Sequence, residues 1–299
     1  MQTTSSVQTP PALPAAPSQS SRRRLPLSVV ISLFALLVVV GAALLGPLLA
    51  GDPNAQSLTS ALKPPMSLGA DGQSHLLGTD QLGRDQLARV LAGTRTSLMV
   101  SFLALVIGGV VGTIIGMVSG YVGGRTDNIL MRLVDIQLAV PGVLLVLTLA
   151  AALRPSMTTT IGVLALVVWV VYARVARAQV LSLRETDFIV AARATGCTNA
   201  TILLRHVLPN IAGPICVIST VEFGHVMIAE ASLGYLGFGI PPPAPTLGSM
   251  ISAGQGYLPL GIWWLVVVPG LVITTTIVST NAIGNWLRDY LDPRSRRRA

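Results

Sequence analysis

Long uncharged apolar runs alternate with short polar segments along most of this chain. Six of the runs are long enough to cross the hydrocarbon core of a bilayer, which takes about 20 residues of helix. The predicted spans cover residues 25–50, 96–121, 128–153, 158–180, 211–236 and 258–286. The pattern therefore predicts an all-α integral membrane protein with six transmembrane helices.

The segments before and between the first spans are polar. Residues 1–24 are rich in Pro, Ser, Thr and Gln, cannot build a core, and are predicted to be disordered. Residues 51–95 are too short for an independent domain and are expected to hold a short interfacial helix capped by Thr79 or Asp80. Residues 287–299 form a polar tail after the last span.

The remaining chain, residues 96–286, is a helical core that includes one polar connection at residues 181–210. There, residues 183–195 suit a helix, Gly196 interrupts it as a left-handed residue would, and the Thr198–Asn199 pair offers a cap for a second helix. A helix-turn-helix held between two spans projects from the membrane. Another protein could therefore bind it and displace it.

The charge distribution indicates the topology. Only 11% of the residues are charged, against about 25% in soluble domains. With the amino terminus inside, fifteen of the twenty Lys and Arg residues fall on the inner side, as the positive-inside rule requires of cytoplasmic segments. The net charge of +8 is thus explained by topology rather than by nucleic-acid binding, and both termini and residues 181–210 are predicted to be cytoplasmic.

The sequence contains no motif for catalysis or cofactor binding. A phosphate-binding P-loop needs Gly-Lys-Ser/Thr, whereas Lys63, the sole lysine, follows Leu62. We therefore expect the chain to bind no cofactor and an ATPase partner to supply any ATP-derived energy. Cys197 and Cys216 lie in different surroundings without ligand companions, so neither a disulfide nor a metal site is predicted.

Three ionisable residues fall deep within the fifth predicted span, namely Glu222, His225 and Glu230. Such groups are costly in a membrane and face a cavity or the interior of the bundle. Glu222 and His225 share a helix face and could form half of a metal site, but no third ligand is apparent. We predict that the three residues line a polar pathway or form hydrogen bonds between helices.

Small residues, prolines and aromatics indicate how the spans pack and bend. Four glycines recur at every fourth position of the second span, at Gly108, Gly112, Gly116 and Gly120. They share one helix face and allow another helix to approach closely. Pro141–Gly142 predicts a kink in the third span, where Asp135 is expected to pair with Arg132. Trp263 and Trp264 are predicted to mark the outer end of the last span.

The polar connection at residues 181–210 resembles the EAA loop of ABC importer permeases. That pattern runs E-A-A, three residues, Gly, nine residues, a bulky residue, any residue, and Leu-Pro, which here falls on 190–192, Gly196, His206 and 208–209. Val at the first position and His at the bulky position depart from the general pattern and are similar to its dipeptide/oligopeptide branch. The positions that match this branch are Asp187, Phe188, Ile189, Ala191, Ala192, Arg193, Ala194, Gly196, Arg205, His206, Leu208, Pro209 and Asn210.

Four further stretches, at residues 75–85, 169–177, 230–239 and 287–294, resemble the same branch. The first reads H-L-L-G-T-D-Q-L-G-R-D, which is similar to the segment after the first span of those permeases. Gly234 and Tyr235 depart from the Ser-Phe that the family has within the stretch at residues 230–239, which leaves their local contacts open. The chain thus resembles permeases of the dipeptide/oligopeptide/nickel ABC importers, specifically the second, C-type permease.

The resemblance implies a type I ABC importer permease fold in a bacterial cytoplasmic membrane. It further implies a homologous second permease, two cytoplasmic ATPases that bind ATP and Mg²⁺, and an external solute-binding protein. Residues 181–210 would then be a coupling loop. The residues expected to contact an ATPase or to set the loop geometry are Glu185, Asp187, Phe188, Ala191, Ala192, Arg193, Gly196, Arg205 and His206. Di- and oligopeptides are the expected substrates, with nickel, haem or glutathione as alternatives.

Two other classes of protein are weighed against this one. An ion-coupled secondary transporter would need its own ion site, for which Glu222 and Glu230 are the candidates. A membrane-embedded hydrolase would need a nucleophile and base or a metal constellation, and the sequence shows none that converges.

Overall fold

The computed structural model describes residues 26–69, 72 and 74–291, nearly all of whose regular structure is helical. The α-helices of the described residues are α1 (Leu27–Leu49), α2 (Gln86–Val122), α3 (Gly124–Leu138), α4 (Gly142–Ala152), α5 (Met157–Leu183), α6 (Asp187–Ala194), α7 (Asn199–Thr201), α8 (Leu208–Tyr235), α9 (Leu247–Gly254) and α10 (Trp264–Leu291). A π-helical stretch, Ile202–Val207, joins α7 to α8. The predicted disorder of residues 1–24 and most of the predicted tail lie outside the described residues.

Five helical stretches are long and apolar enough to cross a membrane, and a sixth span results if the bent pair of α3 and α4 is taken as one. The five stretches are Leu27–Gly46, Gln86–Val122, Met157–Leu183, Asn199–Tyr235 and Trp264–Leu291. The prediction of an all-α membrane protein is confirmed. Short 3₁₀ turns at Leu58–Ser60 and Gln255–Leu260 and a small hairpin complete the regular structure of the described residues.

The second span is longer at its start than predicted. Helix α2 runs unbroken for 37 residues, and the carboxylate of Asp85 caps it by accepting a hydrogen bond from the Ala88 N–H at 2.8 Å. The prediction of a separate interfacial helix capped by Thr79 or Asp80 is therefore wrong. Residues 86–95, predicted to belong to the polar segment before the second span, form the first turns of α2, because nothing after Asp85 breaks the helix.

Helices α2 and α5 pack closely along the predicted glycine face. A Cβ atom added to Gly108 would lie 2.7 Å from the carbonyl oxygen of Ala165. One added to Gly112 would overlap the carbonyl oxygen of Trp169, and the other two glycines of the set likewise face α5 carbonyl groups. Because backbone meets backbone, no side chain fits at these positions.

The kink predicted at Pro141–Gly142 is confirmed as a sharp break of 83° between α3 and α4. Proline lacks the N–H that would continue the helix, which accounts for the position of the break. The predicted pairing of Asp135 with Arg132 is wrong. Asp135 instead accepts a hydrogen bond from Arg174 of α5 at 2.7 Å, which ties α3 to α5.

The α1–α2 connection, residues 50–85, is held against α10. It contains the hairpin of β1 (Ser67–Leu68) and β2 (Ser74–His75), and the Trp264 Nε1–H donates to the carbonyl oxygen of Thr79 at 3.2 Å. Trp264 is the first residue of α10, as predicted for the end of the last span, but it is buried within the protein, whereas Trp263 is exposed. The indole is needed inside the protein because its N–H satisfies a buried carbonyl group.

Helix α9 packs against α8 near the end of that helix. A capping box starts it: the Thr246 hydroxyl accepts from the Ser249 N–H at 3.2 Å, and Ser249 Oγ accepts from the Thr246 N–H at 3.1 Å. A Cβ added to Gly248 would overlap the carbonyl group of Ala231, so the two helices touch through backbone. This contact places α9 beside the end of α8 that carries Glu230.

Candidate coupling surface and intramembrane polar groups

The coupling segment, residues 181–210, forms the predicted helix-turn-helix. Gly196 joins its two parts with φ +81°, a left-handed conformation that favours glycine. The Thr198 hydroxyl caps α7 by accepting from the Thr201 N–H at 3.3 Å. The first helix starts at Asp187 rather than at residue 183 because a turn intervenes, in which the Thr186 N–H donates to the Leu183 carbonyl oxygen at 3.0 Å.

The second helix of the coupling segment does not end at Pro209. Helix α7 continues through the π-helical stretch into α8, and Pro209 lies in the first turn of α8, where a missing N–H costs little. The coupling segment is therefore continuous with the fifth span. A displacement of α7 must move the start of that span with it.

One side of the coupling segment packs into an apolar core, while the opposite side is exposed. Ile189, Ile202 and Val207 are fully buried in one apolar cluster. Phe188 and Val190 are 43% and 51% exposed on the other side. The predicted coupling residues that are exposed in this chain are Glu185, Asp187, Phe188, Ala191, Arg193, Gly196 and Arg205, while Ala192 and His206 are half-buried. Their contact with an ATPase stays a prediction.

Asp127 of α3 contacts both the last turn of α2 and helix α5. Arg177 of α5 donates to both carboxylate oxygens of Asp127, at 2.5 and 2.6 Å, and the Ser119 hydroxyl donates to Oδ1 at 2.5 Å. A bidentate pair of this kind fixes orientation as well as distance. The end of α2 is thus locked to α3 and α5.

Tyr121, in the same turn, contacts both halves of the coupling segment. Its hydroxyl donates to Oδ1 of Asn199 at 3.2 Å, at the start of α7. The guanidinium carbon of Arg193, in α6, lies 5.5 Å from the centre of its ring, within the range of a cation–π contact. Arg184 also donates to the Gly120 carbonyl oxygen at 3.3 Å. The coupling segment is therefore mounted on the end of α2.

We expect Tyr121→Leu to lower transport about tenfold, because it removes both contacts with the coupling segment. Tyr121→Phe keeps the ring and loses one hydrogen bond of about 1 kcal/mol, so a loss of about fivefold is expected. Substrate uptake and ATP hydrolysis by the reconstituted complex would measure both. Tyr290→Leu, which changes an exposed tyrosine stacked on Trp286, is the matched control. Equal uptake by all three variants would contradict this role of Tyr121.

The three ionisable residues of the fifth span lie in different surroundings. Glu222 is buried, and its Oε1 lies 3.3 Å from Nδ1 of His225, whose side chain is 67% exposed in this chain. Glu230 is buried and hydrogen-bonds Ser97 of α2. On one helix, eight residues separate the two carboxylates by about 12 Å. The structure therefore does not bring Glu222 and Glu230 together, and their role as pathway residues stays a prediction.

Further polar contacts join α5 to its neighbours within the bundle. The Tyr172 hydroxyl donates to Ser219 Oγ of α8 at 2.7 Å, and the Trp169 Nε1–H donates to Gln137 Oε1 of α3 at 2.9 Å. No group of three His, Cys, Asp or Glu side chains in the described ranges could hold a metal ion. The polar groups of the bundle are thus arranged for contacts between helices.

Sequence reasoning missed Tyr121, which contacts the coupling segment, and the Asp127–Arg177 pair, which locks the end of α2 to α3 and α5. One signal was available: Asp127 follows the Gly123–Gly124 turn at the end of a long apolar run, where an unpaired carboxylate would be costly. Its partner could not be identified, because Arg177 is one of several arginines near the end of the fourth predicted span.

Residues 112–297 match the family model described as "Binding-protein-dependent transport system inner membrane component". A Brucella suis chain provisionally named a peptide transport system permease protein is 39% identical over 274 residues, which are 91% of this chain and 89% of that one. The dipeptide transport system permease protein DppC of Haemophilus influenzae is 35% identical over 266 residues, 89% of this chain and 90% of that protein.

Solved structures share the fold of this chain. The membrane subunit in an inward-facing structure of the MetNI methionine ABC transporter superposes with a TM-score of 0.52 at 18% identity, covering 67% of this chain and 96% of that one. This likeness shows the fold, and the sequence matches show the family. The chain therefore belongs to the binding-protein-dependent transport system inner membrane components, the permease subunits of ABC importers.

Proposed function

We propose that this permease imports di- and oligopeptides and that partner ATPases, not this chain, hydrolyse the ATP. Its partners would be a homologous second permease, two cytoplasmic ATPase subunits and an external solute-binding protein. Both termini and the coupling segment would lie in the cytoplasm, and the α1–α2 connection outside. The twenty Lys and Arg residues support this orientation, since fifteen fall on the inner side.

The observation that carries the proposal is the geometry of the coupling segment. Two short helices meet at Gly196, present exposed Phe188 and Val190 beside acidic residues, and are mounted on α2 through Tyr121. An apolar anchor with a polar rim suits a protein interface. We infer that this surface docks in a groove of one ATPase.

The mechanism follows from how the coupling segment is attached. Closure of the ATPases on ATP would carry the coupling segment of each permease toward the other. Because α7 is continuous with α8, and Tyr121 ties the segment to α2, both spans would tilt with it. This motion would switch a central pathway between inward-facing and outward-facing states, and hydrolysis would reset it.

The names of relatives support peptides as the substrate class. Beside the dipeptide permease of Haemophilus influenzae, the oligopeptide transport system permease protein OppC of Bacillus subtilis is 35% identical over 90% of this chain. His225 supports a polar pathway, because an imidazole 67% exposed within a span would be costly against lipid. We propose that Glu222, His225 and Glu230 lie along or beside that pathway.

The test is purification of the tagged chain in mild detergent, mass spectrometry of what accompanies it, and uptake of labelled di- and tripeptides by the reconstituted complex. The expected result is recovery of a second permease and two ATPases, with ATP-dependent peptide uptake. Uptake of nickel chelates, haem or glutathione but not of peptides would correct the substrate. Ion-gradient-driven transport by the isolated chain would overturn the proposal.

A further inference from the structure

A polar cavity of about 560 Å³ opens between the end of α1 and the start of α2. Its walls are formed by the α1–α2 connection together with the first residues of α2. Asp52, His75 and Asp85 are its titratable lining residues, and no Lys or Arg is among the described residues that form its walls. The cavity is therefore acidic.

The titratable side chains of this cavity offer hydrogen-bond acceptors. His75 Nδ1 lies 2.7 Å from Oδ2 of Asp85. Since an ionised carboxylate only accepts, Nδ1 must donate, which leaves Nε2 of a neutral ring as an acceptor. The His75 side chain is 7% exposed, and its buried Nε2 has no hydrogen-bond partner among the described residues. Asp52 accepts from the Asn54 N–H at 2.9 Å and has capacity for further donors.

The basic residues of the same connection, and Arg89 in the first turns of α2, are engaged elsewhere. Arg84 and Arg89 lie 2.7 and 3.4 Å from the Asp80 carboxylate, and Lys63 Nζ donates to the Leu68 carbonyl oxygen at 2.9 Å. None of them lines the cavity. No three metal-ligating side chains in the described ranges are grouped for a metal ion, so the cavity is better suited to an organic cation with several N–H donors.

We infer that this cavity receives a lysine or arginine side chain of the external solute-binding protein. The inference rests on the proposed function, which places the α1–α2 connection outside the cell. Members of this family work with a binding protein, which must contact an outer surface of the permease. An acidic cavity on that surface would give such a partner charge-assisted hydrogen bonds and would fix its orientation.

The test measures how much cognate solute-binding protein is needed for half-maximal stimulation of ATP hydrolysis by the reconstituted complex. Asp52→Asn removes the charge but can still accept from the Asn54 N–H, and we expect it to raise that concentration about tenfold. Asp52→Arg reverses the charge, and a larger increase is expected. Salt should weaken stimulation of the wild type more than that of Asp52→Asn.

The matched control is Thr59→Arg, which adds a positive charge on an exposed position of the same connection outside the cavity wall. It should leave both the basal rate and the half-saturating concentration unchanged. The inference would be overturned if both Asp52 variants kept the half-saturating concentration of the wild type. It would also be overturned if Thr59→Arg raised that concentration as much as Asp52→Arg does. A wild-type complex that no solute-binding protein stimulates would overturn the proposed function itself, and this inference with it.

Discussion

Gly196→Val is expected to reduce substrate transport at least about tenfold while the permease still reaches the membrane. Gly196 has φ +81°, and nothing lies within 4 Å of an added Cβ atom, so the effect comes from backbone conformation and not from a clash. A left-handed conformation costs an ordinary residue about 1–2 kcal/mol, and a β-branched residue is disfavoured further. The coupling segment would relieve that strain by turning α6 away from α7, which would separate the proposed ATPase contact from the spans.

Gly196→Asn is the matched control for this prediction, because asparagine tolerates the left-handed conformation at small cost. It should retain most of the transport. Uptake and ATP hydrolysis by purified, reconstituted complexes would be compared at equal permease content. Full transport by a well-expressed Gly196→Val complex would show that the bend at this position is not needed for coupling.

Gly112→Ala is expected to destabilise the permease by about 3 kcal/mol or to prevent its assembly. An added methyl group would overlap the carbonyl oxygen of Trp169 and approach Tyr172 Cβ to 2.8 Å. Neither neighbour can give way easily, because the carbonyl belongs to the backbone of α5 and the Tyr172 hydroxyl is hydrogen-bonded to Ser219. Helices α2 and α5 would have to separate.

Thermal unfolding of the detergent-solubilised protein, with the yield of monodisperse material, would measure this effect. Gly270→Ala is the control, since it lies within α10 and an added Cβ atom there meets nothing within 4 Å. That change should be neutral or stabilising by up to about 1 kcal/mol, because alanine has the higher helix propensity. Equal unfolding temperatures for the two variants would contradict the packing described for α2 and α5.

The fold was predictable from the sequence because the length of an apolar run is enough to identify a bilayer-spanning helix. The left-handed bend at Gly196 and the break at Pro141 were predictable for a similar reason, since each depends on the backbone chemistry of one residue. The glycine face of α2 was visible because its spacing matches the turn of a helix.

Which side chains contact each other across helices was not predictable in the same way. Asp135 had Arg132 within one helical turn, yet it binds Arg174 of another helix, because the rotation of α3 in the bundle decides which arginine it can reach. Trp264 stands at the predicted end of the last span, but its burial was not predictable, since it depends on the α1–α2 connection that covers it. The mounting of the coupling segment on Tyr121 likewise depends on how two distant parts of the chain pack.

Helix α2 runs 37 residues without interruption, which corresponds to about 55 Å. Its first turn is capped by Asp85, which also holds His75 of the α1–α2 connection, and its last turn carries Tyr121 beneath the coupling segment. An uninterrupted helix of this kind can transmit tilt and translation from one end to the other, because its backbone hydrogen bonds continue along the whole length. Helix α2 can therefore act as a lever arm that couples the α1–α2 connection at one end to the coupling segment at the other.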